Sequence, residues 1–260
     1  MEDAHMGLLL IPDSRYREKT AETVRAAAVD GFIVYSAVGN DARVEAALAR
    51  GLPVVTVDQP RDAPTPFIGI DDRAAASTAA GHLRALGHRR VAVLSFVTAI
   101  DREQRLVLEI TQDRLAGYRE GLGDRWDERL VCTCRPNATE PARRAALELL
   151  REPAPPTAIL AMSDVLALGA LQAASELGVP VPQELSVVGF DDSPAATFAT
   201  PALTTVAQPH EEKGRLAAEW LLEAIAGGRP RRRRKAILPT ELVVRESTAA
   251  PEKRRASRRR

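Results

Sequence analysis

The chain has 260 residues, 45% of them hydrophobic and 27% charged, with a formal net charge of +1. That length can bury one large core or two ordinary ones, and the composition is neither disordered nor fibrous. No apolar run approaches the roughly eighteen residues of a spanning helix, and the start Met1-Glu2-Asp3-Ala4-His5 is acidic where a secretory signal is basic, so a cytoplasmic location and no membrane partner are expected.

Hydrophobic period alternates between short β-branched runs and longer amphipathic stretches along nearly the whole chain. Strands are expected at Leu8 to Ile11, Phe32 to Tyr35, Val54 to Val57, Phe67 to Ile70 and Val91 to Phe96, then at Leu130 to Thr133, Ala158 to Met162, Ser186 to Phe190, Leu203 to Ala207 and Ala236 to Val244. Helices are expected at Arg17 to Val29, Asp41 to Arg50, Arg73 to Leu86, Asp113 to Leu122, Glu140 to Leu150, Val165 to Leu177 and Glu211 to Ala226. Gly51, Gly87 and Gly178 follow helical runs and can close a last turn at positive φ, while Asn40 and Ser163 precede helical runs as N-caps. Repeated βαβ units give an α/β fold of doubly wound parallel sheets, and so many strands favour two lobes joined by several crossings.

The basic residues gather in Arg231 to Lys235 and Lys253 to Arg260, without interleaved aromatics or a helical face. They read as a solvated loop and, over residues 250–260, a disordered basic tail. Cys132 and Cys134 are two apart on one face of a strand and are expected to be structural, since two thiols cannot complete a zinc site.

Catalytic signals are missing. There is no Gly-x-Gly-x-x-Gly loop, no phosphate-binding Gly-x-x-x-x-Gly-Lys-Ser/Thr loop and no Gly-x-Ser-x-Gly elbow. His5, His82, His88 and His210 have no partners at metal or triad spacing. No enzyme activity, metal or cofactor is therefore expected. Asp71-Asp72 and Asp191-Asp192 each follow a strand, where α/β proteins bind ligands, and can be acid and base, Mg²⁺ ligands or simple turn caps.

Several segments occur in the order of one known family. They are Val29-Asp30-Gly31-Phe32-Ile33-Val34, Gly51-Leu52-Pro53-Val54-Val55-Thr56-Val57-Asp58, Ile70-Asp71-Asp72, and Gly87-His88-Arg89-Arg90-Val91-Ala92. Arg114-Leu115-Ala116-Gly117-Tyr118, Pro156 through Asp164, Ser186 through Asp192, Leu203 through Pro209, and Leu238 through Thr248 continue the series. Together they resemble the effector-binding region of lactose/galactose-repressor (LacI-type) transcription regulators from about residue 7 to 248.

The resemblance implies a periplasmic-binding-protein-like fold, with a ligand cleft between lobes of residues 1–70 plus 207–237 and 71–206 plus 238–249. It implies sensing of a sugar or other small polar metabolite, with Asp58, Arg114, Ser163, Asp191 and Gln208 as ligand residues. A homodimer is implied, with apolar helix surface at Ala74 to Leu86 and Ala167 to Leu177 available for self-association or lobe packing. DNA contact is expected only through a helix-turn-helix module, which this chain does not contain. From the residues alone, Arg114 can also be a surface helix residue, Asp58 and Asp191 turn caps, and Gln208 a strand-end amide. Replacing Arg114 or Asp191 by alanine is expected to abolish ligand stabilisation while changing the unliganded melting temperature little. A periplasmic-type solute-binding protein for sugar transport is the alternative, disfavoured by the missing signal sequence and by the Gly87-His88-Arg89-Arg90 and terminal segments. Members of the family also place a strand and helix ahead of the segment like Gly7 to Asp13, so residues 1–70 are expected to form the less stable lobe.

Overall fold

In the computed structural model, described for residues 6–11, 17–37, 41–96, 109–227 and 234–252, the β-branched runs form strands and the amphipathic stretches form helices. In chain order these are α1 (Arg17–Ala26), β1 (Phe32–Tyr35), α2 (Ala42–Ala49), β2 (Val54–Val57), β3 (Phe67–Ile70), α3 (Asp72–Leu86) and β4 (Val91–Phe96). They continue with α4 (Glu109–Leu122), β5 (Val131–Cys134), α5 (Thr139–Arg151), β6 (Ala158–Ala161), α6 (Asp164–Leu177) and β7 (Ser186–Asp191). Last come α7 (Pro194–Phe198), β8 (Thr204–Ala207), α8 (His210–Ile225), β9 (Lys235–Leu238) and β10 (Glu241–Val243).

The chain divides into two compact units, residues 1–70 with 209–239 and residues 71–208 with 240–260. Unit 1 holds a parallel sheet of order β1-β2-β3-β9. Its core joins Ala21 and Val24 of α1 to Ala46 and Ala47 of α2 and Val54 of β2, and a second cluster sets Ala217 and Trp220 of α8 against Val55, Val57 and Ile68. Unit 2 holds a sheet of order β10-β8-β7-β6-β4-β5, parallel except for antiparallel β10. All residues of β4 and β6 are buried, as expected for strands covered on both faces, which is why they read as continuous apolar runs.

Local chemistry sets several boundaries. Gly87 and Gly178 end α3 and α6 in the left-handed conformation. After α3 the Gly87 amide bonds the Arg84 carbonyl and the His88 amide the Leu83 carbonyl, closing the helix with two reversed bonds. Ser163 caps α6 by accepting from the Leu166 amide at 3.3 Å. Asn40 lies outside the described residues; the side chain that caps α2 is that of Asp41, which accepts from the Arg43 amide.

Three expectations need correction. Leu8 to Ile11 is no strand, because a strand exists only against a partner and no described residue forms a ladder with it. The single strand expected over Ala236 to Val244 is two, β9 pairing with β3 and β10 with β8, separated by Pro239-Thr240, where proline supplies no ladder N–H. Helix α4 begins at Glu109, a turn before Asp113, and the short α7 was not foreseen. His5, Arg231 to Arg233 and Lys253 to Arg260 lie outside the described residues.

The apolar faces of α3 and α6 pack inside unit 2. A Cβ on Gly117 of α4 would lie 2.2 Å from the Arg73 carbonyl oxygen, and one on Gly169 of α6 would lie 2.4 Å from the Thr139 carbonyl oxygen. Both glycines therefore permit helix contact too close for any side chain.

Candidate functional site

The site in unit 2 is built from the carboxyl ends of its strands. In α4, Arg114, Gly117 and Tyr118 are three and four residues apart and share a face. Gly117 brings α4 against α3, Tyr118 donates to the Ala161 carbonyl at 3.3 Å, and Arg114 reaches the end of β6, where Nη1 donates to the Met162 carbonyl. The parallel register of β7 with β8 sets Asp191 beside Ala207, so that the next residue, Gln208, donates from Nε2 to Asp191 Oδ1 at 2.6 Å. Arg114, Asp191 and Gln208, expected from the sequence, thus form one cluster.

Arg114 is no surface residue. It is 4% exposed, its Nε donates to Asp72 Oδ1 at 2.9 Å, its Nη1 lies 4.0 Å from Asp191 Oδ1, and its guanidinium stands 3.5 Å from the Phe190 ring centre. Burial alone lowers a guanidinium pKa, but the carboxylates of Asp72 and Asp191 more than offset it and the value is raised. The charge is permanent. Nε and Nη1 lock the fork to the protein, whereas Nη2 has no hydrogen bond to a described residue. A rigid, partly committed fork of this kind presents donors to a ligand without further ordering.

Asp191 carries φ 118° and Asp192 φ 53°, a backbone region unusual for residues with a side chain. The turn is fixed from below by Asp164, which accepts from Thr205 Oγ1 at 2.6 Å and from the Ser193 amide at 2.7 Å. Burial raises the Asp164 pKa, and these hydrogen bonds oppose the shift. Gly189 leaves the space for that carboxylate, since a Cβ there would stand 2.3 Å from Asp164 Oδ1. Arg245 donates to Asp192 Oδ1 at 2.7 Å and holds the turn from the other side. Strained backbone at a strand end, braced on two sides, is characteristic of positions that present a side chain.

Ser163 sits beside Met162 but is largely committed, capping α6 and donating to Asn137 Oδ1 at 2.8 Å. Asp58 belongs to unit 1, at the carboxyl end of β2, with φ 65°. Lys213 of α8 donates to its Oδ1 at 2.6 Å, and both side chains are buried. The sequence reading gave Asp72, Asp164 and Lys213 no part in the ligand site. Asp72 stood in a doublet that equally suits a cap, and Asp71 does cap α3 through the Ala74 amide at 2.9 Å. Asp164 closes the Pro156-to-Asp164 segment but was given no role, and Lys213 gave no local signal.

Among the described residues, no group of three or more His, Cys, Asp or Glu side chains could hold a metal, and no helix is long and apolar enough to cross a membrane. Cys132 and Cys134 on β5 are free thiols, and burial pushes the Cys134 thiol up to about 11, with Cys132 adding to the shift.

Comparison with known proteins agrees with this architecture. Residues 80–248 match the periplasmic binding protein-like domain family. An HTH-type transcriptional regulator of Mycobacterium tuberculosis is 36% identical over 265 residues, which cover 96% of this chain and 72% of the relative. A CelR transcriptional regulator solved in complex with cellobiose is 31% identical with a TM-score of 0.76, the match covering 89% of this chain and 69% of that one. A LacI family regulator of Enterococcus faecium solved with bound ribose is 27% identical with a TM-score of 0.76, covering 91% of this chain and 85% of that one. The chain belongs to the LacI-type family of transcriptional regulators and corresponds to their effector-binding region.

Proposed function

We propose that the Arg114–Asp191–Gln208 cluster binds a small polyhydroxylated metabolite, a sugar or close analogue, and that its occupancy is the signal this regulator reads. The observation that carries the proposal is the Arg114 fork, anchored through Nε and Nη1 and leaving Nη2 for a ligand beside the partly exposed Asp191 carboxylate. Each sugar hydroxyl donates once and accepts twice, so a guanidinium and a carboxylate side by side read two neighbouring hydroxyls. Phe190 stacks on the arginine and so stiffens the donor group. Ser163 contributes an acceptor at the start of α6. The cellobiose and ribose bound by two similar regulators support the ligand class.

The chain acts by binding, without catalysis, as one partner of a homodimer, and DNA is contacted through a helix-turn-helix module of the kind the relative's name specifies. An effector shifts such a regulator only through different affinities for its two states. The transporter-feeding alternative is not favoured, because the relatives are transcriptional regulators.

Thermal unfolding in a panel of mono- and disaccharides tests the reading. A ligand at a hundred times its Kd adds about 2.7 kcal/mol to the native state. One or more sugars should raise the melting temperature of the wild type and raise that of Asp191→Asn distinctly less. Stabilisation by none of them, or equal stabilisation of both proteins, overturns it.

A further inference from the structure

The ligand cluster of unit 2 contains the features that ordinarily draw an anion, and a carboxylate of the protein already occupies each of them. Helices α3 and α6 both begin beside it, and a helix N-terminus favours negative charge through its free amides and its dipole. Their first residues are Asp72 and Asp164, which are 2% and 1% exposed. Arg114, the cation a charged ligand would seek, is answered twice, by Asp72 at 2.9 Å and by Asp191 at 4.0 Å.

Arg245 is committed to Asp192 at 2.7 Å. Asp164 is held by neutral donors, the Thr205 hydroxyl and the Ser193 amide. Among the described residues the cluster thus sets Asp72, Asp164, Asp191 and Asp192 against Arg114 and Arg245, and it stays negative even if Asp164 takes up a proton. The buried Tyr118 phenol stands in this field: burial raises its pKa, Arg114 opposes the rise, and Asp191, Asp72 and Asp164 add to it.

We infer that the effector of this cluster carries no negative charge, so that the site accepts an uncharged polyol and rejects its phosphorylated or acidic counterpart. The inference rests on the ligand reading proposed above and narrows its class. A hydroxyl accepts from Arg114 Nη2 and still has a hydrogen to donate to the Asp191 carboxylate beside it. A carboxylate or a phosphate dianion has no hydrogen to give and meets Asp191 as a like charge, with Asp72 behind it. Beside side chains as buried as Arg114 and Asp72, salt screens that repulsion little. Selectivity of this kind comes from repelling the wrong ligand as much as from attracting the right one.

The test is calorimetric titration of the full chain with glucose, ribose and cellobiose, each compared with its phosphate monoester at the primary hydroxyl and with the acid made by oxidising that hydroxyl. The amide of each acid is nearly the same size but uncharged, so the acid and amide together separate charge from shape. Neutral sugar and amide should bind, with the acid and the phosphate at least about tenfold weaker. Asp72→Asn keeps an oxygen for Arg114 Nε while removing one carboxylate, and should narrow the difference between acid and amide severalfold. If that variant does not fold, the compounds titrated into the wild type still decide. An acid or phosphate that binds within tenfold of its uncharged counterpart, or more tightly, overturns the inference and leaves the sugar reading standing. A folded Asp72→Asn with an unchanged difference overturns it too, by assigning the rejection to shape. Binding of none of the compounds overturns the sugar reading itself.

Discussion

Arg114 and Asp72 form a buried ion pair 2.9 Å long, with both side chains no more than 5% exposed. Breaking such a pair from one side strands a charge, at a cost of about 3 to 5 kcal/mol. Arg114→Ala should therefore lower the unliganded melting temperature substantially, contrary to the expectation from sequence that it only removes ligand contact. Denaturant unfolding of Arg114→Ala and Asp72→Ala measures this, and a loss below about 1 kcal/mol in both would show that the pair is not structural.

The Asp58–Lys213 pair makes the same demand on unit 1. Lys213→Met leaves the Asp58 carboxylate buried without its cation and should destabilise, while the double substitution Asp58→Asn with Lys213→Met recovers a good part of the loss. Additive effects of the two single changes would contradict the coupling.

At the contact of α3 with α4, Gly117→Ala places a methyl 2.2 Å from the Arg73 carbonyl oxygen, a backbone atom that can yield only if the helices move apart. Overpacking of this kind costs about 1 to 3 kcal/mol, so the melting temperature should fall by several degrees. A calorimetric scan showing no change would mean that the helices separate freely.

Which of these residues was visible in the sequence follows from how far away its partner lies. Arg114 and Gly117 declare themselves together in one motif on one helical face. Asp72 stands 42 positions before its arginine, and Lys213 stands 155 positions from Asp58, so no local pattern joins them. Strands buried on both faces, such as β4 and β6, were legible because their apolar runs are continuous. Leu8 to Ile11 has a similar run, but strand formation depends on a neighbour that a local pattern does not contain. The arginine fork with its committed and uncommitted donors emerges only when α4, β6 and β7 are brought together.

His88 gives unit 2 a pH dependence. The Ala249 carbonyl, 2.9 Å from Nε2, can only accept, so Nε2 carries the proton and Nδ1 accepts from the Thr157 hydroxyl at 3.0 Å. Burial lowers the His88 pKa, opposed by the Ala249 bond, so the folded state takes up a proton less readily than the unfolded chain. The stabilisation is present above the unfolded value of about 6.5 and is lost as pH falls through it. Melting temperature should therefore drop between pH 7.5 and pH 5.5, and His88→Gln should flatten that slope. An unchanged slope would assign the effect to other groups; His82 is also lowered by burial.

Unit 1, where β1 has a neighbouring strand on one side only among the described residues, should exchange its amides faster at Phe32–Tyr35 than unit 2 does at Val91–Phe96, where every residue is buried. Equal protection of the two strands would contradict the difference in stability.

Calorimetric titration of the sugar that most raises the melting temperature, into the wild type and Asp191→Asn, tests the central claim most directly. Asp191→Asn preserves shape while removing the carboxylate that accepts from Gln208 and faces Arg114. Loss of one charged hydrogen-bonding partner costs about 1.5 to 3 kcal/mol, so affinity should fall at least tenfold while the unliganded melting temperature stays within a few degrees. Equal affinity of the two proteins would place effector binding elsewhere and contradict the assignment of the Arg114–Asp191–Gln208 cluster.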